Sequence, residues 1–253
     1  MTGSSSGIGR ACAEVLLTRR YRVYGCSLEE QGDFITHDRY KHTVCDLGKA
    51  GEAEAFIGAV TESAGKVNAI VNNAGTHPPT AQIDEFRNED FDQLVAVNLR
   101  SAFIICREAL PWLRRARGAI VNVGSQVGQI GQEGAVTYCV TKAGLVGLTR
   151  ALAIDEAVHG VRVNCVSPGT ILTPLAQTVQ SSAAREIIKS WSWMNRWGTA
   201  AEVANVVAFL LSEEASYITG QNIAIGGGAE LGYGLKGDRY MDAMRSADPG
   251  GQA

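Results

Sequence analysis

Residues 2–9 read Thr2-Gly3-Ser4-Ser5-Ser6-Gly7-Ile8-Gly9, and a helical pattern follows at once, with Arg10 and then Ala11, Cys12, Val15, Leu16 and Leu17. Glycines at such a turn let the backbone come close to a pyrophosphate. A helix that starts there offers it free N–H groups and the positive end of a dipole. A loop of this kind opens a dinucleotide-binding unit, in which a strand runs immediately before the glycines. Only Met1 precedes Thr2. The expectation is that the first strand is missing from the chain as given, with Met1 in its last position and the true start upstream. That strand would be central, between strands at 22–26 and 69–71, and its loss would bare backbone groups on both sides.

Outward from the loop, strand and helix patterns alternate to the end of the chain. Short apolar runs at 22–26, 43–45, 69–71, 119–123, 161–166 and 222–225 read as strands. Amphipathic stretches at 8–19, 49–64, 89–115, 137–158, 175–190 and 200–212 read as helices. Alternation of this kind predicts an α/β fold, a doubly wound Rossmann-type parallel sheet with helices on both faces. No linker divides the 253 residues, so 1–253 reads as a single domain large enough to bury a core.

Composition excludes several classes. A net charge of −3 leaves no basic footprint for nucleic acid or an anionic membrane. No apolar run approaches a membrane span, and the N-terminus lacks a signal-peptide pattern. The six cysteines at 12, 26, 45, 106, 139 and 165 form no CxxC pair and read as small core residues in a reducing, cytoplasmic setting. Cys139 is not read as a nucleophile despite its neighbour Tyr138, because adjacent helix positions point apart. The four histidines lack metal-ligand spacing, so no metal is expected.

Tyr138-Cys139-Val140-Thr141-Lys142 carries the chemistry. A Tyr and a Lys four apart share one helix face. A free phenol titrates near 10, and a neighbouring ammonium is expected to lower that value. Ser125, thirteen residues upstream, can hold a substrate oxygen while Tyr138 exchanges its proton. Three further segments accompany the pair: Asn72-Asn73-Ala74-Gly75 after the apolar run 67–71, Asn98 between Val97 and Leu99, and Ser167-Pro168-Gly169 followed by Thr173-Pro174.

In this order and at these spacings, the motifs resemble the short-chain dehydrogenase/reductase family over nearly the whole chain. The resemblance implies that Tyr138 is the general acid/base, Lys142 lowers its pKa and binds the nicotinamide ribose, and Ser125 orients the substrate. It implies that Asn98 holds a water linking Lys142 to solvent. A nicotinamide cofactor would lie along Gly3, Ser5, Ser6, Gly7, Ile8 and Gly9, then Asn73, Ala74 and Gly75. Asp46 and Leu47 would take the adenine. Pro168, Gly169, Ile171 and Thr173 would take the carboxamide end. Where NAD-using relatives end the second strand with an Asp for the ribose, this chain has Ser27. The cations that bind a 2′-phosphate are also absent, with Leu28 next in sequence and Ser6 at the basic position of the glycine loop. The reading is toward NAD, with NADP left open.

Three segments resemble the type 14 17β-hydroxysteroid dehydrogenases and their bacterial relatives more closely: 75–79, 128–132 and 227–234. This implies His77 and Gln132 at the substrate pocket, and Tyr233 in the tail 229–253 closing a neighbouring subunit's pocket. By themselves the residues also read as a loop histidine, a surface glutamine and a packed tyrosine. A lid at 174–197 carries Trp191, Trp193, Met194 and Trp197. At least two of its three Trp are expected to pack the lid against the body, and Trp191 is the candidate substrate wall. Gly226, where many relatives have Asp, is a departure. The implied activity is hydride transfer between a secondary alcohol or ketone (a steroid, sugar or hydroxylated lipid) and the cofactor. Alternatives are a 3-oxoacyl thioester reductase using NADPH and a non-catalytic dinucleotide sensor. In the family that the chain resembles, the long helices at 89–115 and 137–158 pair across a subunit interface, and the resemblance implies a homodimer or homotetramer.

Overall fold

The computed structural model describes residues 1–29, 35–78, 80–174 and 181–232. Tyr233 and most of the tail lie outside the described residues, as do lid positions 175–180.

The chain alternates strands and helices: α1 (Gly7–Thr18), β1 (Val23–Ser27), β2 (Tyr40–Val44), α2 (Glu52–Ala64), β3 (Ala69–Asn72), α3 (Asn88–Val95), α4 (Ser101–Ala116), β4 (Ala119–Val123), α5 (Val127–Ile130), α6 (Val136–Ala157), β5 (Arg162–Pro168), β6 (Ile171–Leu172), α7 (Ser182–Ser190), β7 (Gly198–Thr199), α8 (Ala200–Leu211) and β8 (Asn222–Ile225). Strands β3-β4-β5-β8 form one parallel sheet, and β1-β2 form a parallel pair beside it. Both faces are covered, as the pattern predicts. On one side α1 and α8 bury Leu16, Val203 and Val207 against Val121 and Val166. On the other, α2, α4 and α6 bury Phe56, Ile105 and Ala153 against Ile70, Ile120 and Val163. Alternate β4 residues therefore enter opposite cores, which explains why its whole run Ala119–Val123 is apolar apart from Asn122.

Between β1 and β3 runs the segment Met1–Ser4. Thr2 makes an isolated parallel bridge to Cys26. Cys26 N donates to Met1 O, Ser4 N donates to Cys26 O, and Thr2 N donates to Val71 O. At the position expected for the first strand, these residues pair with both neighbours at the carboxyl end of the sheet and deliver the glycine loop there.

The helix expected as one element over 89–115 is interrupted. Ala96–Arg100 forms a π-helical turn between α3 and α4, with Asn98 buried within it. Such turns recur at functional sites because the extra residue re-aims the side chains around it.

Candidate active site

The carboxyl ends of the parallel strands open onto one cavity of about 690 Å³, where an open α/β sheet places its ligands. The glycine loop borders one end. Ser6 caps α1 without a side-chain bond, and the first turn of α1 holds no acidic residue, so the helix start is open to an anion. Asn73 does more than line the cavity. Its Nδ2 donates to Thr2 O and Gly3 O, while Thr2 Oγ1 accepts from the backbone N of Asn73 and Ala74. The strand-end turn and the glycine loop thus hold each other.

Tyr138, Lys142 and Ser125 meet at the other end of the cavity. A buried polar ladder fixes the helix that carries the first two. Asn72 Nδ2 donates to Asn122 Oδ1 at 2.9 Å, Asn122 Nδ2 to Thr149 Oγ1 at 2.9 Å, and Thr149 Oγ1 to Leu145 O at 2.8 Å. This ties β3 and β4 to α6. The turn carrying Ser125 reaches α6 closely because residue 128 is glycine: a Cβ there would stand 2.8 Å from Ala143 N.

Lys142 is buried, donates from Nζ to Val123 O at 3.0 Å, and lies 5.6 Å from the Tyr138 ring centroid. The expectation that the ammonium lowers the phenol's pKa is corrected. Burial dominates and pushes Tyr138 up to about 12, with a hydrogen bond from Ser125 opposing it. Burial likewise pushes Lys142 down to about 8. At pH 7 the phenol is therefore neutral, while the ammonium, though disfavoured by burial, remains the main form of Lys142.

Asn98 stands behind this site rather than in the cavity wall. Its Oδ1 accepts from Thr76 N at 2.8 Å, and its Nδ2 donates to Thr76 O at 2.9 Å and to Thr141 Oγ1 at 3.3 Å. Through these bonds it braces the loop at 75–77 against α6.

Other motif residues line this cavity or pack behind it. Ser5, Ser6, Gly7 and Ile8 line the cavity with Gly3, and Gly9 packs behind them against Gly3 and Asn73. Asp46 and Leu47 line the β2 side, and Pro168, Gly169, Ile171 and Thr173 line the β5 side. His77, Gln132 and Trp191 line the substrate end. Trp197 lines it too, with the Arg185 guanidinium 5.7 Å from its ring centroid. Trp193, the third lid tryptophan, donates from Nε1 to Gly232 O.

One cavity residue is not among those expected to hold the cofactor. Glu29 enters the cavity two positions beyond Ser27, and Ser5 Oγ donates to its Oε2 at 2.8 Å. That bond holds the carboxyl below its usual range. Ser27 Oγ is engaged with His42 Nε2 at 2.7 Å. Among the described residues no group of His, Cys, Asp and Glu could hold a metal ion.

Residues 3–230 match the family model described as enoyl-(acyl carrier protein) reductase. The chain belongs to the short-chain dehydrogenase/reductase family. It is 38% identical to an L-fucose dehydrogenase of Mus musculus over 247 residues, covering 94% of this chain and 90% of that one. It is 36% identical to a 3-oxoacyl-[acyl-carrier-protein] reductase of Rickettsia felis over 233 residues, covering 90% and 94%. Its structure superposes on that of the ligand-free aldohexose dehydrogenase of Thermoplasma acidophilum with a TM-score of 0.85 at 30% identity, covering 93% and 94%. This short-chain dehydrogenase/reductase is accordingly an NAD(P)-dependent oxidoreductase.

Proposed function

We propose that the enzyme oxidises a hydroxyl of a small sugar with NAD. The observation that carries this reading is the shape of one cavity. It runs from a glycine loop and an anionic Glu29 to a Ser125–Tyr138–Lys142 cluster. Fit to the cofactor follows from these residues. The open start of α1 suits a pyrophosphate. Glu29 takes the place of the missing strand-end Asp: a carboxylate accepts both hydroxyls of an adenosine ribose and repels a 2′-phosphate. When bound, the nicotinamide supplies the hydride acceptor or donor.

The chain's own residues supply the rest. Ser125 orients the substrate oxygen. Tyr138 takes the alcohol proton in oxidation and returns it in reduction. Its neutral phenol is ready to donate at pH 7. Accepting a proton needs a positive charge nearby, which Lys142 and an oxidised nicotinamide together would provide. Support for sugars among the secondary alcohols comes from relatives named for L-fucose and aldohexose. The segments resembling hydroxysteroid dehydrogenases contribute His77 and Gln132 to the same wall, so steroids belong in the substrate panel.

The second reading, a 3-oxoacyl thioester reductase using NADPH, draws on the 36% identity to such a reductase. Initial rates with sugars, steroids and 3-oxoacyl thioesters, each with both cofactors, separate the two. Faster sugar oxidation with NAD supports the proposal. Thioester reduction with NADPH as the sole activity overturns it.

The proposal extends to a cytoplasmic homodimer or homotetramer. Val140 and Ile154 of α6, Val158 just past its end and Phe103 of α4 are exposed apolar residues suited to a partner subunit. No helix among the described residues is long and apolar enough to cross a membrane.

A further inference from the structure

His77 leaves the strand-end turn after β3, and its ring lies over Tyr138 with centroids 4.4 Å apart and planes tilted by 47°. Its Nδ1 stands 2.6 Å from Pro78 O. A carbonyl oxygen only accepts, so Nδ1 carries a hydrogen. In the neutral imidazole Nε2 is then a bare acceptor. Among the described residues Nε2 has no protein partner, and the residue lines the cavity. The active site therefore holds, one ring away from its acid/base, an acceptor whose tautomer the backbone has fixed.

We infer that His77 reads a second hydroxyl, on the carbon next to the one oxidised, and that the substrate is a vicinal diol. The inference rests on the dehydrogenase reading of the site. Ser125 and Tyr138 take the reacting oxygen. The neighbouring oxygen of a diol sits on the adjacent carbon, and the His77 ring stands beside Tyr138 with centroids 4.4 Å apart. It donates its hydrogen to Nε2. A substrate with an isolated hydroxyl would cover Nε2 with C–H groups and leave an acceptor unpaired, which is costly once water is excluded. Trp191 and Trp197 on the same cavity offer an apolar face to the C–H side of a sugar ring. Aldohexoses meet every part of this description, because their C1 and C2 hydroxyls are vicinal.

The test uses the full chain with NAD and three kinds of substrate: an aldohexose such as L-fucose or D-glucose, its 2-deoxy counterpart, and cyclohexanol. Wild type is compared with His77→Phe, which keeps a ring over Tyr138, and His77→Gln, which restores an acceptor. Wild type is expected to favour the complete sugar by about tenfold in kcat/KM, the size of one well-formed hydrogen bond, mostly through KM. His77→Phe is expected to bring the ratio to about one while still oxidising the 2-deoxy sugar. His77→Gln is expected to restore part of the preference. Equal rates on both sugars in wild type, or an unchanged preference in His77→Phe, overturn the inference and leave the dehydrogenase reading intact. So does turnover of cyclohexanol without either sugar. No turnover of any alcohol removes both.

Discussion

Replacing Lys142 by Met should stabilise the ligand-free enzyme at neutral pH while disabling it. The lysine is buried, and its pKa falls from 10.5 to about 8 because desolvation outweighs what its surroundings return. Each pH unit of that displacement corresponds to about 1.4 kcal/mol, so holding the ammonium folded at pH 7 costs on the order of 3 kcal/mol. Met fills similar space without a charge. It also strips Val123 O of its bond from Nζ, which returns about 1–2 kcal/mol. The variant should therefore be about 1–2 kcal/mol more stable than wild type at pH 7.

The sign of the pH dependence follows from linkage. Between pH 8 and 10.5 the unfolded chain binds more protons at this lysine than the folded one, so wild-type stability rises with pH across that window. Lys142→Met lacks this contribution. The gap between the two should close and reverse by pH 10.5, a relative change of about 3 kcal/mol. Urea unfolding of both proteins without cofactor, at intervals from pH 7 to 10.5, reads this directly, and other titrations cancel in the difference. A difference between variants that stays constant with pH would refute the assignment of Lys142 as a buried ammonium held at a cost. A site that stores this strain and spends it on binding fits the usual trade of stability for activity.

Two further outcomes are expected. Glu29→Gln should weaken NAD binding by about tenfold and narrow the preference over NADP, as measured by titrating each reduced cofactor and following its fluorescence; unchanged affinity for both would remove Glu29 from the ribose. Arg114→Leu should cost about 3 kcal/mol, because it leaves buried Glu156 without the two bonds of 2.8 and 2.6 Å from Arg114. Those bonds hold the Glu156 carboxyl below its usual range, so their stabilisation is present above the ordinary carboxylate pKa and lost as pH falls through the lowered one. Urea unfolding at pH 7 and pH 3 checks this, the variant's deficit shrinking at the lower pH.

The glycine loop, the alternating layers and the Ser125–Tyr138–Lys142 set were legible because each is local: a turn followed by helical spacing, a strand-length apolar run, two residues four apart. What escaped depends on distance in three dimensions. Glu29 lies two residues past the strand end where an Asp was sought, and only its bond to Ser5 across the sheet shows that it reaches the cavity. The ladder Asn72–Asn122–Thr149 joins residues fifty and twenty-seven positions apart. Asn98 was legible as a motif, but the π-helical turn that aims it at Thr76 has no spacing signature. The direction of the Tyr138 shift was misread because the sequence shows a lysine four residues away and says nothing of burial, which here is the larger effect. Among the tryptophans, helical spacing could not tell Trp193, bonded to Gly232, from Trp191 and Trp197 on the cavity.

The most direct test of the central claim is the formation of reduced nicotinamide, followed by absorbance, with NAD and an aldohexose, for wild type and Tyr138→Phe. The account predicts turnover in wild type that rises with pH as the phenol is deprotonated, and loss of at least about a thousandfold in the variant with cofactor affinity retained. Comparable turnover in Tyr138→Phe would contradict it and move the proton transfer to another cavity group, such as the neighbouring His77.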